Sequence, residues 1–158
     1  MIDTARDTDL PALADMLYAL NALHATHLPE RFHTAGRRSD LGDILAGAMA
    51  DGAQLLIYRT EGVPRGYLMW RPVDRPATAL ELAARKALLD HIYVQPIWRR
   101  RGLGARLMAR FEQDIRAEGC TGWISRVHAF NGASAALMRG AGAQLSLQVF
   151  EKPLDVLA

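Results

Sequence analysis

Apolar residues recur along this chain with two different periods, and the changes of period outline its elements. Leu10, Leu13, Leu17, Leu20 and His24 fall at three- and four-residue steps, which is one face of a helix. Asp7, Thr8 and Asp9 offer capping oxygens ahead of it, and Pro11 falls in its first turn, where a missing N–H costs little. Leu28-Pro29 ends it. Ile2 to Arg6 is a short, strand-like start. A second helix is predicted from Asp40 to Ala50, with Leu41, Ile44, Leu45 and Ala48 on one side and Ser39 as its cap. The period then drops to two. Gln54 to Thr60 and Arg65 to Pro72 read as strands joined by a turn at Glu61-Gly62-Val63-Pro64, an antiparallel hairpin. From Asp74 to Arg85 the pattern is divided, with Ala79 to Ala84 favouring helix by propensity. Lys86 to Val94 is the next strand. Strict alternation puts Leu88, Asp90, Ile92 and Val94 on one face and Leu89, His91 and Tyr93 on the other. The helical period returns from Gly104 to Glu118, with Leu103, Leu107, Phe111 and Ile115 facing inward. Thr121 to Val127 is a strand, Asn131 to Gly140 a short helix, and Ala143 to Phe150 a last strand closed by Lys152-Pro153.

Length and composition narrow the class. A chain of 158 residues, half of them apolar, suits one globular domain spanning 1–158. No apolar run approaches the ~20 residues needed to cross a bilayer, so no membrane partner is expected. The start, Met1 to Asp7, is polar and acidic and does not read as a signal peptide. A single cysteine, Cys120, excludes an intrachain disulfide framework and fits a reducing cytoplasm. No Cys or His spacing suits a metal, so none is expected.

Charge changes the picture more. Residues 1–51 hold eight acids and four Arg, net −4, whereas residues 52–158 hold nine acids and fifteen Arg or Lys, net +6. The basic part suits an anionic partner. Nucleic acid is disfavoured, because aromatic-rich basic strands and helix-turn-helix cues are absent. A phosphorylated cofactor is the more economical reading.

One stretch is built for such a ligand. Between the strand ending at Val94 and the helix starting near Gly104 runs Gln95-Pro96-Ile97-Trp98-Arg99-Arg100-Arg101-Gly102-Leu103. A helix N-terminus presents unpaired backbone N–H groups and partial positive charge. Glycines let an anion approach the backbone, and arginines add bidentate donors. Two familiar phosphate loops do not fit. A Walker A loop needs Gly-Lys-Ser/Thr, but Gly104 is followed by Ala105 and Arg106; a dinucleotide loop needs Gly or Ala where Leu107 stands. Val94-x-Pro96 followed by Arg99-x-x-Gly102-x-Gly104 instead resembles the acetyl-CoA pyrophosphate loop of the GNAT (Gcn5-related N-acetyltransferase) superfamily.

That resemblance implies a fold and a site. The fold would be α/β (α+β), with a mixed, mostly antiparallel sheet of about six to seven strands, about four flanking helices and a splay at the strand ending in Val94. The divided stretch 74–85 would then be a loop or strand extension. Arg99, Arg100, Arg101, Gly102, Leu103, Gly104 and Ala105 would hold the pyrophosphate of acetyl-CoA, and the backbone of Ile92, Tyr93 and Val94 the pantetheine arm. Asp90, a carboxylate in an apolar strand, would be the base that deprotonates the acceptor amine. Asn131-x-x-Ser134-x-x-Leu137-Met138-x-x-x-Gly142-Ala143 is similar to the C-terminal motif of the family, with Asn131 bonding the pantetheine arm. It departs at Met138, where a tyrosine usually acts as acid, and at Ala143, where phenylalanine is usual. Methionine has no proton to give. Ser134 or Tyr93 would have to substitute, or the thiolate would leave unaided. Arg139 would reach the nucleotide phosphates or remain a surface residue.

His24, Thr26, His27, Glu30, Arg31, Phe32 and His33 would line the acceptor side. The implied activity is acetyl transfer to a primary amine of a small molecule or peptide, by direct attack in a ternary complex. A CoA-binding module without transfer activity is the alternative that Met138 leaves open. Polyamine, amino acid, antibiotic and protein amine stay equal as acceptors, and monomer and homodimer are both compatible with the sequence.

Overall fold

Both periods of the sequence are realised in a computed structural model that describes residues 1–156. One five-stranded sheet holds β1 (Ile2–Thr4), β2 (Gln54–Thr60), β3 (Val63–Arg75), β4 (Ala84–Val94) and β5 (Trp123–Ser125) in that spatial order. Neighbours are antiparallel from β1 to β4, and β5 runs parallel to β4. The helices are α1 (Leu10–His27), α2 (Arg38–Ala50), α3 (Leu103–Ala117) and α4 (Gly132–Gly140). No helix among the described residues is long and apolar enough to cross a membrane.

Alternation along the strands feeds two cores. Leu55, Ile57, Tyr67 and Met69 meet Leu13, Met16, Leu17 and Leu45 of α1 and α2 on one face. Leu56, Leu68, Trp70 and Leu89 meet Leu107, Met108, Phe111 and Ile115 of α3 on the other. Trp70 is fully buried, with Phe111 edge-on at 5.8 Å. Asp9 anchors the start of the chain: its carboxylate accepts from the Arg6 amide at 2.8 Å and from the Arg59 guanidinium at 2.8 Å.

Three expectations are corrected. The sheet has five strands rather than six or seven, because the segment 143–150 forms no strand. The divided stretch 74–85 takes the loop and strand-extension form that the resemblance implied, not the helix that propensity favoured: β3 and β4 stay paired out to Arg75 and Ala84, and the Thr78 hydroxyl accepts from the amides of Leu80 and Glu81. A six-residue helix with no core to pack against is too short to persist. Arg37, not Ser39, stands at the N-cap of α2, and its amide donates to Asp40 at 3.2 Å.

The third correction concerns β4. Met69 pairs with His91 and Trp70 with Leu89, so Asp90 is an extra residue, a β-bulge. The bulge reverses the alternation. Ala87 and Leu89 before it share the α3-side core with Ile92 and Val94 after it, while Tyr93 joins the opposite core. Without that extra residue, Ile92 and Val94 would lie on the other face from Leu89.

Candidate active site

β5 pairs with β4 only from Ala87 to Leu89, and the Ser125 hydroxyl closes the contact by donating to the Leu89 carbonyl at 3.3 Å. Beyond that point the strands part. The edge of β4 from Asp90 to Val94 is left without a neighbouring strand on the β5 side. The opening therefore begins at the bulge, and the same residue supplies its carboxylate.

Past Val94 the chain turns through a 3-10 segment, Pro96–Trp98, into the arginine loop. Arg99 folds back, its Nε donating to the Val94 carbonyl at 2.8 Å and its guanidinium 5.5 Å from the Tyr93 ring. The Trp98 ring has the guanidinium of Arg65 at 4.9 Å and that of Arg101 at 5.1 Å. Arg100 (φ +59°) and Gly102 (φ +76°) are both left-handed. Only glycine takes that conformation freely, so Arg100 stores about 1 kcal/mol of strain. Left-handed residues in a turn of this kind are what a backbone nest for an anion is built from. The amides of residues 100–105 have no backbone partner among the described residues, whereas Arg106 already donates to the Gly102 carbonyl at 3.0 Å. The Leu103 side chain is buried in the core, so that residue offers only its amide. Gly104 differs from Gly102. It is helical, and a Cβ there would meet the Leu137 methyls at 3.3 Å, so its smallness lets α3 approach α4.

A cavity of about 230 Å³ runs through the opening, from Leu17, Leu20, Asn21 and His24 of α1 to Asn131 and Ser134 at the start of α4. Asp90, His91, Ile92, Ser125, Arg126 and His128 form its middle. Asp90 is half-buried and forms an ion pair with Arg71, with 3.4 Å between Nε and Oδ2. Asn131 caps α4, its side-chain oxygen accepting from the Ser134 amide at 3.1 Å. That bond engages the side-chain oxygen, and the Asn131 NH2 makes no hydrogen bond among the described residues.

A ring cluster closes the α1 end. His24 lies 5.2 Å from both Phe32 and His128, and His27 stacks on Phe130 at 4.2 Å. Burial, with His24 and Arg31 nearby, lowers the pKa of His128. Burial also lowers that of His91, against the opposing pull of Asp90; the His91 Nδ1 lies 3.1 Å from the Tyr67 hydroxyl.

Of the residues singled out in the sequence, Asp90, Ile92, Asn131 and Ser134 converge on the cavity, as do His24 and Phe32. Tyr93 does not bring its hydroxyl there, because its ring packs in the α1–α2 core. Met138 is buried in the α3-side core. Arg139 is exposed on α4 and away from the cavity. His128, Phe130, Arg71 and Asn21 were not legible beforehand. The predicted strand stops at Val127, one residue short of His128, and only an irregular continuation of β5 carries His128 to the ring cluster. No three His, Cys, Asp or Glu side chains among the described residues gather as a metal site.

Comparison with known proteins agrees with this geometry. The pattern of the Acetyltransferase (GNAT) family matches residues 17–143. The chain is 32% identical over 122 residues to aminoglycoside N(6')-acetyltransferase type 1 of Klebsiella aerogenes, covering 74% of this chain and 78% of that protein. A mutant BH1408 protein of Bacillus halodurans superposes with TM-score 0.88 at 17% identity, over 98% of this chain and 99% of that one. Aminoglycoside N-acetyltransferase AAC(6')-Iy in complex with CoA superposes with TM-score 0.74 at 16% identity, over 99% and 95%. At those identities the two structures speak for the fold alone.

Proposed function

Because the chain belongs to the acetyltransferase (GNAT) family, and is thus an acetyl-CoA-dependent N-acetyltransferase, we propose that it acetylates the primary amine of a small molecule at the opening between β4 and β5. One observation carries the reading. The unpaired edge of β4 leads from the Asp90 carboxylate straight to the free amides of residues 100–105. A long, thin ligand with a diphosphate at one end fits that path.

The amides of residues 100–105, with Arg100 and Arg101, would hold the pyrophosphate. Arg99 would act partly by pinning the end of β4, since its Nε is already engaged. Backbone groups of Ile92 to Val94 and the free amide of Asn131 would align the pantetheine arm. The acceptor arrives as an ammonium and must lose a proton before its nitrogen has a lone pair to attack with. Asp90 takes that proton, directly or through a water. The C–N bond forms, the nitrogen gives up its second proton to water, and the C–S bond breaks; the thiolate takes a proton from solvent, directly or relayed through the Ser134 hydroxyl, which regains its own from the same water. Much of the rate gain comes from holding the two substrates in line.

A second reading gives the proton to His128. Its depressed pKa keeps the imidazole neutral and able to accept at neutral pH, on the same cavity wall. Asp90→Asn should lower kcat about 10²- to 10⁴-fold with little change in the KM for acetyl-CoA; if His128→Gln does so instead, the second reading holds.

The cavity also bears on the acceptor. Among its lining residues Asp90 is the only acid, it is already paired with Arg71, and Arg126 adds a positive charge. Such a wall attracts a polycation poorly. Rings at the other end suit an apolar or aromatic group. We therefore read the acceptor as a monoamine carrying such a group, although the Klebsiella relative is named for aminoglycosides. The single cysteine is in keeping with work in a cytoplasm. The test is CoA thiol release with arylalkyl monoamines and aminoglycosides side by side. Stabilisation by acetyl-CoA with turnover of no amine would refute acetyl transfer, and preference for aminoglycosides would refute only the acceptor class.

A further inference from the structure

Tyr67 of β3 and His91 of β4 meet where the α1–α2 core borders the cavity. Tyr67 is fully buried, and its hydroxyl lies 3.1 Å from the His91 Nδ1. Strand register explains the meeting. Met69 is the partner of His91, so Tyr67 is a diagonal neighbour on the same face, within reach of a ring. The surroundings decide which group donates. The Tyr67 hydroxyl makes no other hydrogen bond among the described residues, and its neighbours include Leu13, Leu45, Leu55 and Ile57. Burial raises its pKa, so it keeps its proton at neutral pH. Were Nδ1 the donor, the phenolic hydrogen would have nothing to accept it in an apolar core, which is costly. The hydroxyl therefore donates to Nδ1. Burial keeps the imidazole neutral, and a neutral imidazole that accepts at one nitrogen carries its hydrogen on the other. That hydrogen is on Nε2. Nε2 has no partner among the described residues, yet it is not sealed in: the buried side-chain nitrogen without a partner is Trp70 Nε1. Since His91 lines the cavity, its Nε2–H opens there as an unused donor of fixed direction.

We propose that His91 selects the acceptor: its Nε2–H donates to a neutral oxygen close to the acceptor's amine, a hydroxyl or a carbonyl, and Tyr67 is a positioning residue that holds the imidazole in that tautomer. The inference rests on the reading of this cavity as the acceptor site. Asp90 and His91 are consecutive and both line the cavity, so one short molecule can offer its amine to the first and its oxygen to the second. A neutral oxygen suits the place better than a carboxylate, because the Asp90 charge next to it repels a second anion. An acceptor without that oxygen leaves a part-buried donor unpaired, and a site built around a hydrogen bond rejects such an analogue. The acceptor class thus narrows from an aryl monoamine to an aryl amino alcohol or amino amide.

CoA thiol release should be compared for 2-phenylethylamine and three oxygen-bearing analogues: 2-amino-1-phenylethanol, phenylalaninamide and phenylalanine. The alcohol or the amide should show a kcat/KM about tenfold above the plain amine, the worth of one neutral hydrogen bond, and phenylalanine should gain nothing. His91→Phe, which keeps a flat ring without nitrogens, should bring that ratio to within about twofold, and His91→Gln, which keeps an N–H, should restore part of it. Retained thermal stabilisation by acetyl-CoA shows that each variant still folds. Nitrogen NMR of the histidine-labelled chain reads the tautomer with no acceptor present. Nε2 of His91 should carry the hydrogen at neutral pH, and Tyr67→Phe should mix the two forms. A hydrogen on Nδ1 in the wild type, equal kcat/KM for the plain amine and both neutral analogues, a preference for phenylalanine, or a ratio untouched by His91→Phe would each overturn the proposal. Turnover of none of the four amines would fail the acceptor-site reading and this inference with it, whereas equal rates would fail this inference alone.

Discussion

Replacing Gly102 by alanine and, separately, by glutamate isolates the anion cradle from the stability of the loop. Gly102 has φ +76°, and a Cβ built there meets nothing within 4 Å. Any other residue therefore pays only backbone strain, about 1–2 kcal/mol, less the ~0.4–1 kcal/mol recovered because the unfolded chain is stiffer. The net loss is about 1 kcal/mol, a drop in Tm of ~2–4 °C for a chain of this size. Alanine and glutamate carry the same strain, so they should melt together. They differ in charge. A carboxylate ~4 Å from a phosphate oxygen is repelled by about 1 kcal/mol per charge pair in water and about 4 kcal/mol at a protein surface. An intermediate ~2 kcal/mol corresponds to CoA binding about 30-fold weaker for Gly102→Glu than for Gly102→Ala. Isothermal titration with CoA reads this directly, and the gap should narrow as salt rises. Equal affinities, within threefold, from two equally folded variants would refute the assignment of the free amides at 100–105 to a diphosphate.

Other expectations follow from the same geometry. A Cβ on Gly66 would sit 2.7 Å from the Tyr93 carbonyl and 3.2 Å from a Val94 methyl, so Gly66→Ala must push the end of β4 away; a loss of about 1–3 kcal/mol in chemical denaturation and weaker CoA binding are expected. Gly104→Ala meets only the mobile ends of Leu137 at 3.3 Å and should cost under ~1 kcal/mol. His91 and His128 titrate below the ordinary value of 6.5 in the folded chain. As pH falls through 6.5 the unfolded state binds protons first, so stability present above that pH is lost below it, mainly through the buried His91 and less through the more open His128. Melting curves from pH 7.5 to 5 should show the loss, and His91→Gln should flatten them; an unchanged slope would count against the burial of a neutral His91. Cys120 is buried, and burial raises its thiol pKa. It should react with a disulfide reagent at least tenfold more slowly than free CoA at pH 7, a difference that a stopped assay without substrate would reveal.

Much of the architecture was legible as pattern. Leu10 to His24 and Leu103 to Ile115 announce α1 and α3 because an apolar stripe with a helical period has one way to bury itself. Gln54 to Thr60 matches β2 residue for residue. The failures fall where one segment depends on another. Ala143 to Phe150 has the strand pattern but no partner strand among the described residues, and a strand exists only as a paired edge. Ala79 to Ala84 stays divided for the same reason: it has helical propensity, but the hairpin on either side decides its path, and it is a loop.

What the sequence by itself determined is the local chemistry of the loop. An αL-capable glycine before a helix, preceded by arginines, exposes amides and positive charge wherever the chain goes, because the unpaired groups belong to the backbone of that stretch alone. Only the tertiary structure decided the rest of the site. The bulge at Asp90 arises from how β4 pairs with β3, so which face Ile92, Tyr93 and Val94 present could not be counted from β4 itself. The Arg71 partner of Asp90 and the meeting of His128 and Phe130 with His24 and His27 join residues far apart in sequence. Such contacts depend on strand register and on where two strands part, and no single stretch of the chain encodes either.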